Sequence, residues 1–146
     1  MANAKSAEAQ LRKAVIAALK AASLPVSKDV RVFPRIELTD VQESGAIDKG
    51  EDVRELGFVL EAISLKSYDE AAVNAETAET LLVGQGTITM PNFESQDIYK
   101  ELGTEIVEVG DADILVIRRR TQYRANISRK AATPSGSGSG SGNGNS

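Results

Sequence analysis

The side chains with the most evident chemical capacity lie late in the 146-residue chain: Arg118, Arg119, Arg120, Tyr123 and Arg124. On an extended strand, side chains alternate. Arg118, Arg120 and Arg124 then share one face, and Arg119 and Tyr123 share the other. Three guanidinium groups on one face repel each other unless something anionic meets them. Phosphates of a nucleic-acid backbone would serve, and so would carboxylates of a neighbouring subunit. Base reading is disfavoured, because it needs aromatic platforms and Tyr123 stands alone here in a chain without tryptophan.

Other constellations carry less. The chain has no histidine and no cysteine, which excludes disulfides, thiol nucleophiles, imidazole acid–base chemistry and ordinary zinc sites. No G-x-S-x-G elbow is present. Lys66-Ser67 reads as the entrance to a helix rather than as a Ser–Lys pair. The glycines of Gly84-Gln85-Gly86 follow a helix, whereas a phosphate loop places its glycines after a strand and before a helix; they read as a helix C-cap and turn. Asp48, Glu51 and Asp52 lack the spacing of a calcium loop and read as a solvated loop. No cofactor, metal or catalytic residue is expected.

Net charge is −4 but unevenly spread. Residues 1–111 hold 11 basic and 20 acidic side chains, and residues 112–146 hold 6 and 1. An acidic body with a basic C-terminal arm can bind nucleic acid, or the acidic body of another copy, or simply be solvated. No apolar run reaches the length that spans a bilayer, and no signal peptide opens the chain, so a membrane partner is not expected.

These side chains are positioned by a short set of elements. The central unit is Val53 to Val83. Its first half alternates as a strand with apolar residues on both faces, which predicts a central position covered on both sides. Its second half is a helix with the stripe Tyr68, Ala72, Ala75, Ala78 and Leu82 and with Ser67 as N-cap. Before it, Ser6–Ala22 reads as a helix capped by Ser6, with Leu11, Val15, Ala18, Leu19 and Ala22 inward. Arg35–Val41 reads as a strand entered at Pro34, and Gln42–Asp52 as a projecting polar loop.

After it, Thr87–Met90 reads as a short strand and Asn92–Gln96 as a linker. Asp97–Gly103 fits either a helical turn or a strand start, ended by Gly103. Thr104–Val109 reads as a strand, Gly110-Asp111 as a break, and Ala112–Ile127 as a last strand leaving the core at Arg118. The fold class is α+β: a mostly antiparallel sheet packed with an N-terminal helix and a central helix on one side. Residues 1–130 form one domain, and 131–146 form a flexible Gly/Ser-rich tail, native or added for expression. With both helices on one side, the second face of the central strand is left for something else to cover, such as a neighbouring copy.

The order of these segments, SAEAQLRKAVIAALKA, FPRIELTDV, GFVLEAISLKSYDEAAVNAETAETLL and DADILVIRRRTQYRANI, resembles the tail-terminator, or tail-completion, proteins of the neck of long-tailed bacteriophages. The family's late arginine-containing "R-x-x-Y-R"-like stretch matches Arg120, Tyr123 and Arg124. The resemblance spans about Ser6 to Ile127 and rests on element order more than on invariant chemistry. It implies a non-enzymatic virion protein of the phage tail, assembled in the host cytoplasm. Such a protein forms a homo-oligomeric ring, usually of six, which caps the tail tube and joins it to the head–tail connector. DNA passes through the channel, in non-specific proximity to the ring. The alternative is a small nucleic-acid-binding module that uses the basic C-terminal strand.

Overall fold

The computed structural model describes residues 3–48, 53–83 and 88–129. The elements are α1 (Asn3–Ala21), β1 (Arg35–Asp48), β2 (Val53–Leu65), α2 (Tyr68–Leu82), β3 (Phe93–Val109) and β4 (Leu115–Arg129), with a 3-10 turn at Asp111–Asp113. The four strands form one antiparallel sheet in the order β1-β2-β4-β3. The α+β architecture is as the sequence implies, and β2 is central. Gly84–Gly86, Thr87, Glu51, Asp52 and the tail from Ala131 lie outside the described residues.

Both helices pack on one side of the sheet. From α1, Ala7, Leu11, Val15 and Leu19 are fully buried, and α2 contributes Ala71, Ala78 and Leu82. Beneath them β2 presents Leu56, Phe58, Leu60 and Ala62, and β4 presents Tyr123, Ala125 and Ile127. Phe58 and Tyr123 face each other in register, their rings stacked with centroids 5.2 Å apart and planes 16° apart. Such a pair adds about 0.5–1.5 kcal/mol to what burial of two rings supplies.

The junction of β2 and α2 is closed by side chains. Lys66 takes a left-handed conformation with φ of 65°, which turns the chain sharply, and its N–H donates to the Leu115 carbonyl at the start of β4. The Ser67 hydroxyl then accepts from the Glu70 N–H at 3.0 Å, so the predicted cap is present. Glu70 in turn accepts a hydrogen bond from the buried Ser64 hydroxyl of β2. The helix is therefore fixed to the strand it follows, within one turn of its start. Its stripe is rotated from the expected one: Ala71 is buried and Tyr68 is 45% exposed.

Several boundaries differ from the sequence reading. Helix α1 begins at Asn3, so Ser6 lies inside it and does not cap it. Strand β1 continues to Asp48, and much of the expected loop Gln42–Asp52 is strand. Its polarity reflects the outer edge of a sheet, and its broken alternation comes from three register shifts, after Leu38, Glu43 and Ala46. Similarly, Asn92–Gln96 is no linker beyond Asn92: β3 starts at Phe93 and runs without a stop through Gly103. Shifts at Ser95/Asp97 and Lys100/Leu102 reverse the phase of its alternation, which hides the strand pattern. Residues 88–90 are not strand. Strand β4 starts at Leu115, after a turn in which Ala112 and Asp113 both have positive φ. It does not leave the core at Arg118, because Thr121, Tyr123, Ala125 and Ile127 are all buried.

Candidate assembly surface

The face of the sheet opposite the helices is where the arginines converge. In register across β1, β2 and β4 this face reads Arg35–Ile63–Arg118, then Glu37–Glu61–Arg120, then Asp40–Val59–Gln122, then Gln42–Gly57–Arg124. Ile63 is fully buried and Val59 is 8% exposed, although no helix lies on this side. On this side Arg35, in register with Ile63, is itself buried and donates to the Val30 and Val32 carbonyls, so the segment before β1 folds over this end of the face. At Val59 and Ile63 the expected bare apolar face is thus already covered within the chain, while Leu65 and Leu102 on the same face stay exposed.

The charged heads pair with one another. Glu61, 8% exposed, accepts from Arg118 Nη1 at 3.0 Å and from Arg120 Nη1 at 2.9 Å. Arg118 Nε also donates to Glu108 of β3 at 3.0 Å. Arg124 bridges Glu55 of β2 at 3.0 Å and Glu101 of β3 at 2.8 Å. Arg35, itself buried, pairs with Glu37 and donates to the Val30 and Val32 carbonyls. Glu37 and Glu61 sit directly opposite, a repulsive placement that Arg35 on one side and Arg118 and Arg120 on the other neutralise.

Protonation equilibria reflect this lattice. Burial works against the charge of Arg118, but the carboxylates of Glu108 and Glu61 outweigh it and raise its pKa. Arg124 is raised mainly by its bond to Glu101, helped by the charge of Glu55. Both stay cationic at any ordinary pH. Between Arg120 and Arg124 the face dips into a depression of about 190 Å³. Gly57, which has no side chain, lines it together with Asp40, Gln42, Glu101 and Gln122, among others.

Of the five residues singled out from sequence, Arg118, Arg120 and Arg124 share this face as alternation requires. Arg119 and Tyr123 point to the helix side. Arg119 Nη1 lies 3.6 Å from Glu105 of β3. Tyr123 is 1% exposed, and its hydroxyl has no hydrogen-bond partner among the described residues. Burial, with a smaller contribution from the charge of Glu79, raises the Tyr123 pKa well above that of a free phenol. It is a core residue in this chain, not a surface contact. The glutamates escaped the sequence reading. One signal for them exists: Glu61 stands in the apolar run Phe58–Ile63 of the central strand, where an acid needs a basic partner on a neighbouring strand.

Among the described residues, no group of acidic side chains could hold a metal ion. Among the described residues, no helix is long and apolar enough to cross a membrane.

Comparison with known proteins gives a likeness in fold. No family model matches the chain. No curated protein matches it either. Among solved structures, a chain from the virion of a native gene transfer agent particle is similar in fold, with a TM-score of 0.68 at 19% sequence identity. The match covers 82% of this chain and 96% of the other.

Proposed function

We propose that this chain is a non-enzymatic structural protein of a phage-type virion. In this reading it forms a closed ring, of six subunits, that caps the tail tube and joins it to the head–tail connector while DNA passes through. The observation that carries the reading is the likeness in fold to a chain of a gene transfer agent virion, which extends over nearly the whole of both chains. The segment order of the sequence points the same way.

The ion-paired face favours this role over that of a nucleic-acid-binding module. A phosphate-binding surface needs arginines free to meet phosphates. Here Arg118, Arg120 and Arg124 already meet carboxylates of the same chain. A face whose cations are neutralised by its own acids suits a channel wall that DNA slides past.

Negative-stain imaging of the purified protein, alone and with tail tubes, is expected to show closed rings. A protein that stays monomeric at high concentration, and does not assemble when tail tubes are added, overturns the reading. Tight DNA binding that falls steeply with salt, and is lost in Arg118→Ala with Arg120→Ala, would instead establish the nucleic-acid module.

A further inference from the structure

Outside the sheet, the charges of the two helices are separated by sign. Helix α1 carries Lys5, Arg12, Lys13 and Lys20 against Glu8 alone. Helix α2 carries Asp69, Glu70, Glu76 and Glu79 and no basic residue. Several of these have internal work: Arg12 donates to the Leu38 carbonyl, Glu70 accepts from Ser64, and Glu79 pairs with Lys100. Lys13 and Lys20 on α1, and Asp69 and Glu76 on α2, are exposed and make no ion pair among the described residues.

The spacing of these four is the same on both helices. Lys13 and Lys20 are seven residues apart, as are Asp69 and Glu76. Two turns of helix put each pair on one face, about 10 Å apart along the axis. Between the charges, four residues after the first of each pair, α1 has the exposed Ala17 and α2 has Val73, which is 57% exposed. One helix therefore offers base, notch, base, and the other offers acid, apolar knob, acid. Beside Val73 and Glu76 the surface opens into a groove of about 470 Å³ that reaches Ala22 at the end of α1. Both helices pack on one face of the sheet, and among the described residues no ion pair joins Lys13 or Lys20 to Asp69 or Glu76 within the chain.

We infer that the Lys13–Ala17–Lys20 face of α1 docks on the Asp69–Val73–Glu76 face of α2 in a second copy. The contact rests on the reading of the chain as a self-assembling ring protein and assigns its subunit interface to the helical layer, not to the arginine-bearing sheet face. The two surfaces differ and are complementary, so successive copies join head to tail, and the assembly closes if the rotation between copies allows.

The test is charge reversal in the full chain, with sedimentation as the readout of self-association and circular dichroism as the check on folding. All four positions are solvent-exposed, so the variants are expected to fold. Lys13→Glu with Lys20→Glu should weaken self-association about tenfold or more, since two attractive pairs become repulsive. Asp69→Lys with Glu76→Lys should do the same. Combining all four substitutions should restore assembly to near the wild-type level, which mere surface damage would not do. Val73→Asp should weaken assembly independently of the lysines. If wild-type rings form and none of these variants alters them, the contact is overturned and the ring reading stands. A wild-type protein that never self-associates overturns both.

Discussion

Strands β2 and β4 run side by side through the middle of the sheet, and their two faces are built on different principles. Toward the helices they present Leu56, Phe58, Leu60, Tyr123, Ala125 and Ile127, packed and dry. Away from the helices they present Glu55, Glu61, Arg118, Arg120 and Arg124, linked by ion pairs. On the first face a lost side chain leaves a cavity. On the second it leaves a charge without its partner. The first face is sensitive to volume, and the second to charge and ionic strength.

The comparison can be broken most strongly at Phe58. Phe58→Ala is expected to cost roughly 3–5 kcal/mol, because it empties the stack with Tyr123 under both helices. A urea midpoint close to wild type would mean the helix face is not the core. Next comes Glu61→Gln, which leaves Arg118 and Arg120 without their shared carboxylate. Its expected cost is about 1–2 kcal/mol, held below that of a fully buried pair because both arginines keep part of their exposure. Loss of stability should be accompanied by an unchanged near-ultraviolet dichroism of the Phe58–Tyr123 pair; a changed signal would show that the two faces are not separable.

Tyr123→Phe sharpens the contrast from the other direction. It removes a buried hydroxyl with no partner among the described residues, and should stabilise the fold by about 1 kcal/mol. The effect should grow in alkali. The folded pKa of Tyr123 is raised, so the unfolded chain loses this proton first, and stability falls as pH rises above about 10. The variant should lack that part of the fall in alkaline melting curves; identical pH profiles would contradict the assignment. The smallest effect belongs to Arg119→Ala. This arginine points to the helix side and, among the described residues, has a single ion pair at 3.6 Å, so its loss should change thermal stability by about 0.5 kcal/mol or less. A larger loss would place Arg119 in the core network.

Much of this was legible in the sequence. The strand–helix unit at Val53–Val83, the Ser67 cap and the split of the arginines between two faces all follow from local period and capping chemistry. The sequence pattern understates strands β1 and β3 for one common reason. Each contains register shifts that change the phase of alternation, and each lies at an edge where polar residues face water on either side. The partners of the arginines were not legible, since Glu55, Glu61, Glu101 and Glu108 come near only through pairing between strands distant in sequence. Tyr123 shows the limit of a local motif: its spacing from Arg120 and Arg124 groups it with them, while the pleat sends it to the opposite face.

The strand order β1-β2-β4-β3 also has a consequence for how the chain folds. Hairpins β1–β2 and β3–β4 are each local in sequence, and such hairpins close within microseconds. The seam between β2 and β4 joins segments separated by all of α2 and β3, so it carries the larger loop-closure cost and is expected to be the slow step. The pairs of Arg124 with Glu101 and of Arg118 with Glu108 lie inside one hairpin, whereas those with Glu55 and Glu61 cross the seam. Until it closes, each arginine that bridges both sides lacks its β2 partner, and the Glu61 carboxylate remains in water. The same lattice that neutralises the finished sheet therefore also marks the last joint of the molecule to lock.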